Sequence, residues 1–429
     1  MYDILFQNAT VLTMVDAAPV FHGHVGIQGG RIAYMGQEAR AAARVIACEN
    51  RILMPGLINT HAHTAMCVLR GYADDYALQP WLFTKVFPAE ARLTERAVLA
   101  GVRLGFAEML STGTTSLSDM YFYQPAAAQL ALEVGIRASL CNAATAAQGA
   151  WNPPQDRAAQ ETFRLIQEYH GAGEGRILAE VAIHAEYTSC PAVWEWAAAL
   201  AQSRGVGLQV HLSETEKEHA ACVARYGKTP AALLAGYGVF EGRALAAHCV
   251  WLTPKDRALL AEKGVHAAHC PVSNLKLGSG IANITAMRAA GINISLGTDG
   301  CCSNNTHDLF EEIKLAALLA KGTTGDPCAV SAYDALKMAT VNGAKAQGRA
   351  DVGQAAVGMQ ADLILLDMHT PSTLPQYDPI SAVVYSATGA NVRLTMVQGR
   401  VLYEDGGFTT LDIEQAYAEA EYAKKLILG

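Results

Sequence analysis

The sequence predicts an α/β protein: a (β/α)8 TIM barrel inserted into a small β-sandwich formed by both ends of the chain. Three observations carry that prediction. Apolar, β-rich runs recur eight times through the middle of the chain, alternating with longer helical patterns. Short alternating strands crowd the first fifty residues and return near the C-terminus. Histidines and acids gather at the C-terminal ends of the central runs, where barrel enzymes keep their active sites.

Residues 3–6, 10–12, 23–27 and 31–35 read as short strands, with Gly29 and Gly30 marking a hairpin between the last two. Runs 362–367 and 392–399 share their texture. The expected division is residues 1–54 with 357–429 for the composite β domain and a C-terminal helix, and 55–356 for the barrel. Barrel strands are expected at 57–59, 115–118, 138–141, 179–183, 208–211, 245–248, 265–268 and 294–297. Helical patterns separate them, for example at 94–110, 191–203 and 307–320, and the Ala/Glu/Lys-rich stretch 413–426 reads as a surface helix. An open doubly wound sheet also fits alternation alone. No GxGxxG follows the first strand and no Walker-type loop is present, so nothing supports a phosphate cradle.

Hydrophobic residues make up 51% of the 429 positions and charged residues 17%, which supplies a large core and argues against disorder. A net charge of −8 disfavours nucleic acid and anionic membranes as partners, since both need a basic face. The N-terminus lacks a basic stretch with an apolar core, and no run reaches ~18 uninterrupted apolar residues; a cytoplasmic location is expected. The ten cysteines are scattered without a CxxC pair and read as buried thiols in a reducing compartment.

His61 and His63 follow the first barrel strand two residues apart, so strand periodicity turns both toward one face and one ion. His211 ends the fifth strand, His248 the sixth and Asp299 the eighth. Imidazoles with one carboxylate suit Zn²⁺ or Fe²⁺ and leave room for water. Glu214, three residues past His211, is placed to shuttle protons, whereas Glu216 and Glu218 read as solvated loop acids. His184 ends the fourth strand as a further substrate contact. No Lys stands on that strand to bridge two metals, which favours a single ion.

The run from Met54 to His63, with HLSE at 211–214, AHC at 247–249, SNLKLGSGIA at 273–282 and LGTDG at 296–300, resembles the amidohydrolase superfamily. Within it the chain is most similar to S-adenosylhomocysteine/5′-methylthioadenosine deaminases, with triazine chlorohydrolases and guanine deaminases as relatives. The resemblance implies His61, His63, His211 and Asp299 as ligands of one divalent metal, Zn²⁺ ahead of Fe²⁺. It implies that His248 and Asp299 deprotonate the attacking water and that Glu214 protonates a ring nitrogen and relays protons to the leaving amine. Trp81 resembles the aromatic that packs on a nucleoside, Glu90 the acid that binds its ribose hydroxyls, His184 a purine contact and Ser303 another ligand-side position. The segment from Arg70 to Glu90 is the expected cover over the site, and a homo-oligomer is the expected assembly.

Asn142 departs from this pattern, standing where the family often has an Arg for a homocysteine carboxylate; Arg157 aligns with a second such Arg. An amide cannot replace a guanidinium fork. Glu186 also departs, in a place where a Pro is more usual. Adenosine, 5′-deoxyadenosine and 5′-methylthioadenosine therefore fit better than S-adenosylhomocysteine. The alternative is a deaminase or dechlorinase of a free ring such as guanine, a pterin or an s-triazine, against which Glu90 argues because a bare ring has no diol. A non-catalytic barrel would be expected to lack part of the metal set, which is complete here.

Overall fold

The computed structural model describes residues 1–146 and 151–428. It begins with β1 (Tyr2–Leu12), β2 (Val20–Gln28), β3 (Arg31–Gly36), β4 (Ala42–Ala47) and β5 (Arg51–Pro55). β1 pairs antiparallel with β2, and β2 turns into β3 at Gly29 and Gly30, whose φ values of 57° and 77° suit a tight hairpin. The two runs expected at 3–6 and 10–12 are one strand. A bulge between Phe6 and Ala9, with Asn8 at φ 57°, separates its halves. The first half pairs in parallel with β4 and the second with β5.

β5 runs through Gly56 into the barrel, whose strands are β6 (Leu57–His63), β7 (Thr114–Met120), β8 (Arg137–Cys141), β9 (Ala143–Ala144), β10 (Ile177–Ala179), β11 (Val181–Ile183), β12 (Leu208–Leu212), β13 (Ala244–His248), β14 (His266–His269), β15 (Asn293–Leu296) and β16 (Asp299–Gly300). They pair in parallel in the orders β10-β8-β7-β6-β16 and β15-β14-β13-β12-β11-β9. With β8–β9, β10–β11 and β15–β16 each taken as one interrupted strand, these are the eight strands of the barrel. The break inside the expected strand 179–183 falls at Glu180, where the ladder switches from β8 to β12. Glu180 is buried there, accepting from Arg243 at 2.5 Å and Gln209 at 2.7 Å. The break between β15 and β16 falls at Gly297, where an added Cβ would lie 2.7 Å from that of His61. Only glycine lets the eighth strand pass so close behind the first.

The helices form where caps and periodicity coincide. Glu95–Ser111 starts at Thr94, whose hydroxyl accepts from the Ala97 amide, and Pro191–Arg204 starts on Pro191 and closes on a left-handed Gly205. Leu309–Thr324 starts two residues later than expected, because the Asp308 carboxylate accepts from the Phe310 amide and caps the helix there.

After the barrel, β17 (Leu363–Asp367) inserts antiparallel between β5 and β18 (Val392–Val397), followed by β19 (Arg400–Glu404) and β20 (Gly407–Phe408). The terminal strands make one nine-stranded sheet that forks at β1. Its two leaves enclose Phe6, Val11, Val25, Leu53, Leu363 and Leu394, among others. A buried Arg137–Asp362 ion pair ties it to the barrel. The last helix, Ile413–Leu428, lies along Glu95–Ser111 through Arg96–Glu419 at 2.9 Å and through Arg92, which donates to the Ile427 carbonyl at 2.6 Å. Among the described residues no helix is long and apolar enough to cross a membrane.

Candidate active site

β6, β12, β13 and β16 bring His61, His63, His211, His248 and Asp299 together at their C-terminal ends, all buried. Asp299 Oδ1 lies 3.4 Å from His61 Nε2 and 3.2 Å from His63 Nε2, and His63 Nε2 lies 3.2 Å from His211 Nε2. The outer edges of the rings are fixed. His63 Nδ1 donates to the Met120 carbonyl at 2.6 Å and His211 Nδ1 to the His184 carbonyl at 2.5 Å. With those protons committed, the two Nε2 atoms face each other, an approach that only a shared proton or a cation makes favourable. His61 Nε2 is buried without a hydrogen-bond partner among the described residues. On both counts the residues fit a divalent metal.

For His211 and His61 the electrostatics agree with the ligand chemistry; for His63 they favour the protonated ring unless a cation takes the proton's place. Burial and the neighbouring imidazoles hold His211 well below its ordinary range. Burial also brings His61 down to about 4 against the pull of Asp299. Both rings are therefore neutral, as metal ligands must be. For His63 burial is outweighed by Asp299 and the Met120 carbonyl, which raise it to about 9. Asp299 has a φ of 61°, and its Oδ2 accepts from Ser273 at 2.6 Å and Ser303 at 2.8 Å, which aims Oδ1 at the histidines.

His248 and Glu214 stand beside this cluster. His248 Nδ1 donates to Asn274 Oδ1 at 2.9 Å, so its Nε2 is free to accept a proton; Glu214 Oε2 is 3.8 Å from it. Glu214 is buried and accepts from Ser279 at 3.4 Å, and burial pushes its carboxyl above the ordinary range. Ser213, His248 and Cys249 all have left-handed backbones, with φ between 48° and 69°. Such strain at non-glycine residues concentrates where geometry is set by function.

Glu218 corrects the reading of a solvated loop acid. It is buried, and its carboxylate accepts from the amides of Ser213 at 3.2 Å, Glu214 at 2.7 Å and Thr215 at 3.3 Å. It is the inward half of a capping box with Thr215 that begins the helix Glu216–Tyr226. Burial and the Glu214 charge push it up to about 8. Glu216 is exposed, as expected. Glu218→Ala leaves three amides without an acceptor and frees the turn that carries Glu214. We expect a loss of about 2–4 kcal/mol in unfolding free energy and about a tenfold fall in kcat with metal content retained. Thermal unfolding, kinetics and metal analysis of one preparation check all three.

The cluster forms the floor of a cavity of about 630 Å³. Trp81 and Glu90 line it from the helical cover Leu78–Glu90, both buried, and His184 lines it from the end of β11. Burial raises Glu90 to about 7. Asn142 donates to Glu161 at 2.6 Å and leaves its Oδ1 buried and unpartnered among the described residues. Arg157 lies over the Tyr123 ring at 3.7 Å and pairs with the same Glu161 at 2.8 Å, so its charge is already offset. Ser303 departs from the ligand-side expectation: it is fully buried behind Asp299, holds that carboxylate and does not line the cavity. Glu186 is buried and receives both bonds of Arg225, at 2.7 and 2.8 Å; it anchors the turn after His184 to the helix Glu216–Tyr226. Asp119 escaped the sequence reading. Its Oδ1 takes the Thr64 amide and hydroxyl at 2.6 Å each, which fixes the turn after His63.

The chain is similar to known proteins along its whole length. The chain is 43% identical to a 5′-deoxyadenosine deaminase of Methanosarcina mazei over 100% of its own length and 99% of that protein's. It is 42% identical to a 5-methylthioadenosine/S-adenosylhomocysteine deaminase of Moorella thermoacetica, covering 98% of each chain. The crystal structure of an adenosine deaminase from Xanthomonas campestris with bound zinc superposes with a TM-score of 0.93 at 33% identity, covering 100% of this chain and 99% of that one. Residues 52–402 match the amidohydrolase family, and with that match the chain belongs to it.

Proposed function

We propose that this chain is a metal-dependent hydrolase that deaminates adenine nucleosides to the inosine analogue and ammonia. The observation that carries the reading is the buried cluster of three histidines and an aspartate, with an unpartnered His61 Nε2, on the floor of a nucleoside-sized cavity. The names of its full-length relatives support the substrate class. His61, His63, His211 and Asp299 would hold one divalent ion, zinc by the neighbouring structure. When bound, that ion supplies the Lewis acidity that makes water a nucleophile near neutral pH. His248 Nε2, its tautomer set by Asn274, takes the water proton together with Asp299. Glu214, whose carboxyl burial pushes above the ordinary range, donates its proton to the purine ring nitrogen and so makes the amine-bearing carbon electrophilic. The resulting carboxylate takes the hydroxyl proton of the adduct and passes it to the departing amine, and the proton held by His248 then restores the carboxyl. The same reading makes the chain a cytoplasmic homo-oligomer.

Substrate choice follows from the walls. Trp81 packs against the nucleoside and the Glu90 carboxylate accepts from its two ribose hydroxyls. The Arg157 charge is shared with Glu161, so little attraction remains for a homocysteine carboxylate; uncharged 5′-substituents are preferred. Ammonia release across adenosine, 5′-deoxyadenosine, 5′-methylthioadenosine and S-adenosylhomocysteine tests this, with guanine, a pterin and a chlorotriazine as bare rings. The nucleosides turn over best and S-adenosylhomocysteine least among them; turnover of bare rings alone would sink the reading.

Glu90 adds a pH signature. It accepts from both hydroxyls with both oxygens only when ionised, and with its carboxyl held at about 7 that form is lost as pH falls through neutrality. The KM for 5′-deoxyadenosine should rise below about pH 7, whereas the KM for 2′,3′-dideoxyadenosine should not. Glu90→Gln should raise KM about tenfold to a hundredfold for the first substrate only.

A further inference from the structure

Behind the catalytic cluster, away from the cavity wall, lies a second group of metal-binding side chains. Cys67 sits in the turn Thr64–Leu69 after β6, Cys301 follows β16, and His307 precedes the helix Leu309–Thr324. All three are buried, and their donor atoms lie within 4.8 Å of one another. The two sulfurs are 3.4 Å apart, and Glu108 Oε2, from the helix Glu95–Ser111, lies 3.9 Å from Cys67 Sγ and 3.8 Å from Cys301 Sγ. Zinc–sulfur bonds of about 2.3 Å in a tetrahedron place donors about 3.8 Å apart; the two edges from Glu108 to the sulfurs match this, the sulfur–sulfur edge is shorter, and Glu108 joins the cluster from the side of the two sulfurs.

The histidine is prepared for a ligand. The Thr298 hydroxyl donates to the Asp299 carbonyl and accepts from Asn59, so His307 Nδ1 at 2.9 Å is the donor to it. That commits the Nδ1 proton and leaves Nε2 as a lone pair. His307 Nε2 is fully buried and has no hydrogen-bond partner among the described residues. Charge also balances. Two thiolates and a carboxylate carry one more negative charge than a dication supplies, and Arg70 makes up the difference. It lies 2.6 Å from Glu108 Oε2 and 3.5 Å from Cys67 Sγ.

We propose that Cys67, Cys301, His307 and Glu108 form a second, structural site for a thiophilic dication of the zinc class. Four protein donors leave no open position for water, which separates it from the catalytic site. Binding releases the thiol protons and clamps the turn that follows His61 and His63 to the loop that follows Asp299. The site stands independently of the proposed substrate.

Cobalt distinguishes the two sites, because only this one contains sulfur. Protein purified with reductant and loaded with Co²⁺ should show an intense near-ultraviolet thiolate-to-cobalt band. Cys67→Ser and Cys301→Ser should each abolish it, and Cys328→Ser, which removes the exposed thiol, should leave it unchanged. Zinc counted per chain should fall by roughly half in the first two variants, while the His61 cluster stays loaded. The native protein already decides the matter without a variant. Folded protein that takes up one metal per chain and shows no sulfur band at excess cobalt overturns the proposal, as does a band lost in Cys328→Ser.

Discussion

Glu214→Gln is expected to lower kcat about a hundredfold to ten-thousandfold on 5′-deoxyadenosine while the fold and metal content stay intact. The amide has the same shape, and its oxygen can still accept from Ser279, so packing is not disturbed. What it loses is the proton. Glu214 is a buried carboxyl whose protonated form is favoured by its surroundings, 3.8 Å from a histidine with a free Nε2. It lines the cavity together with His63, His211, His248 and Asp299 and is not itself one of the proposed ligands. Deamination of an aromatic ring stalls without protonation of the ring nitrogen, because addition of water would otherwise leave charge on it. The effect should therefore fall on kcat, with KM changed little. Unchanged kcat with full metal occupancy would remove Glu214 from the chemistry.

Much of this site was legible because it hangs on strand periodicity. His61 and His63 share a face by period two, and His211, His248 and Asp299 each end a run whose β character is plain. The polar partners that hold these residues were not legible. Met120 and His184 contribute backbone carbonyls, so their role depends on the register of β6 against β7 and of β11 against β12, not on their side chains. The family resemblance puts Ser303 on the ligand side. The turn after β16 directs it back onto the carboxylate instead. Glu218 sits in a run of charges that normally marks a solvated face, and only the T-x-x-E spacing from Thr215 could have signalled a capping box turned inward. The thiols show the same limit at longer range, since Cys67 and Cys301 meet across 234 residues. Among the terminal strands, β4, β5, β19 and β20 were missed: β4 and β19 are short and largely exposed or half-buried, β20 spans two residues, and β5 is apolar throughout after Arg51, without alternation.

His61→Ala should cost several kcal/mol of transition-state stabilisation, about a thousandfold or more in kcat/KM, and should empty the catalytic site on dialysis against chelator. Activity alone would not separate a lost ligand from a damaged barrel, so the stronger readout is thermal. An ion held by the folded cluster more tightly than by the unfolded chain stabilises the fold, so chelation should lower the Tm of the native chain. In the variant, chelation should no longer move the part of that shift that the catalytic ion contributes. The metal-free variant need not be less stable than the metal-free native chain. His61 Nε2 is a buried polar atom without a partner, and its ring crowds His63 and His211 with centroids 4.9 and 4.8 Å away. Alanine removes that unsatisfied group while opening a small cavity, and the two effects oppose each other. The Gly297 approach explains why a larger replacement would behave differently. With the eighth strand pressed against the back of residue 61, a bulkier side chain has no room to turn away from the metal, and it would displace Asp299 on β16 as well. His61→Ala with an unchanged chelation shift would show that the ion does not rest on this histidine.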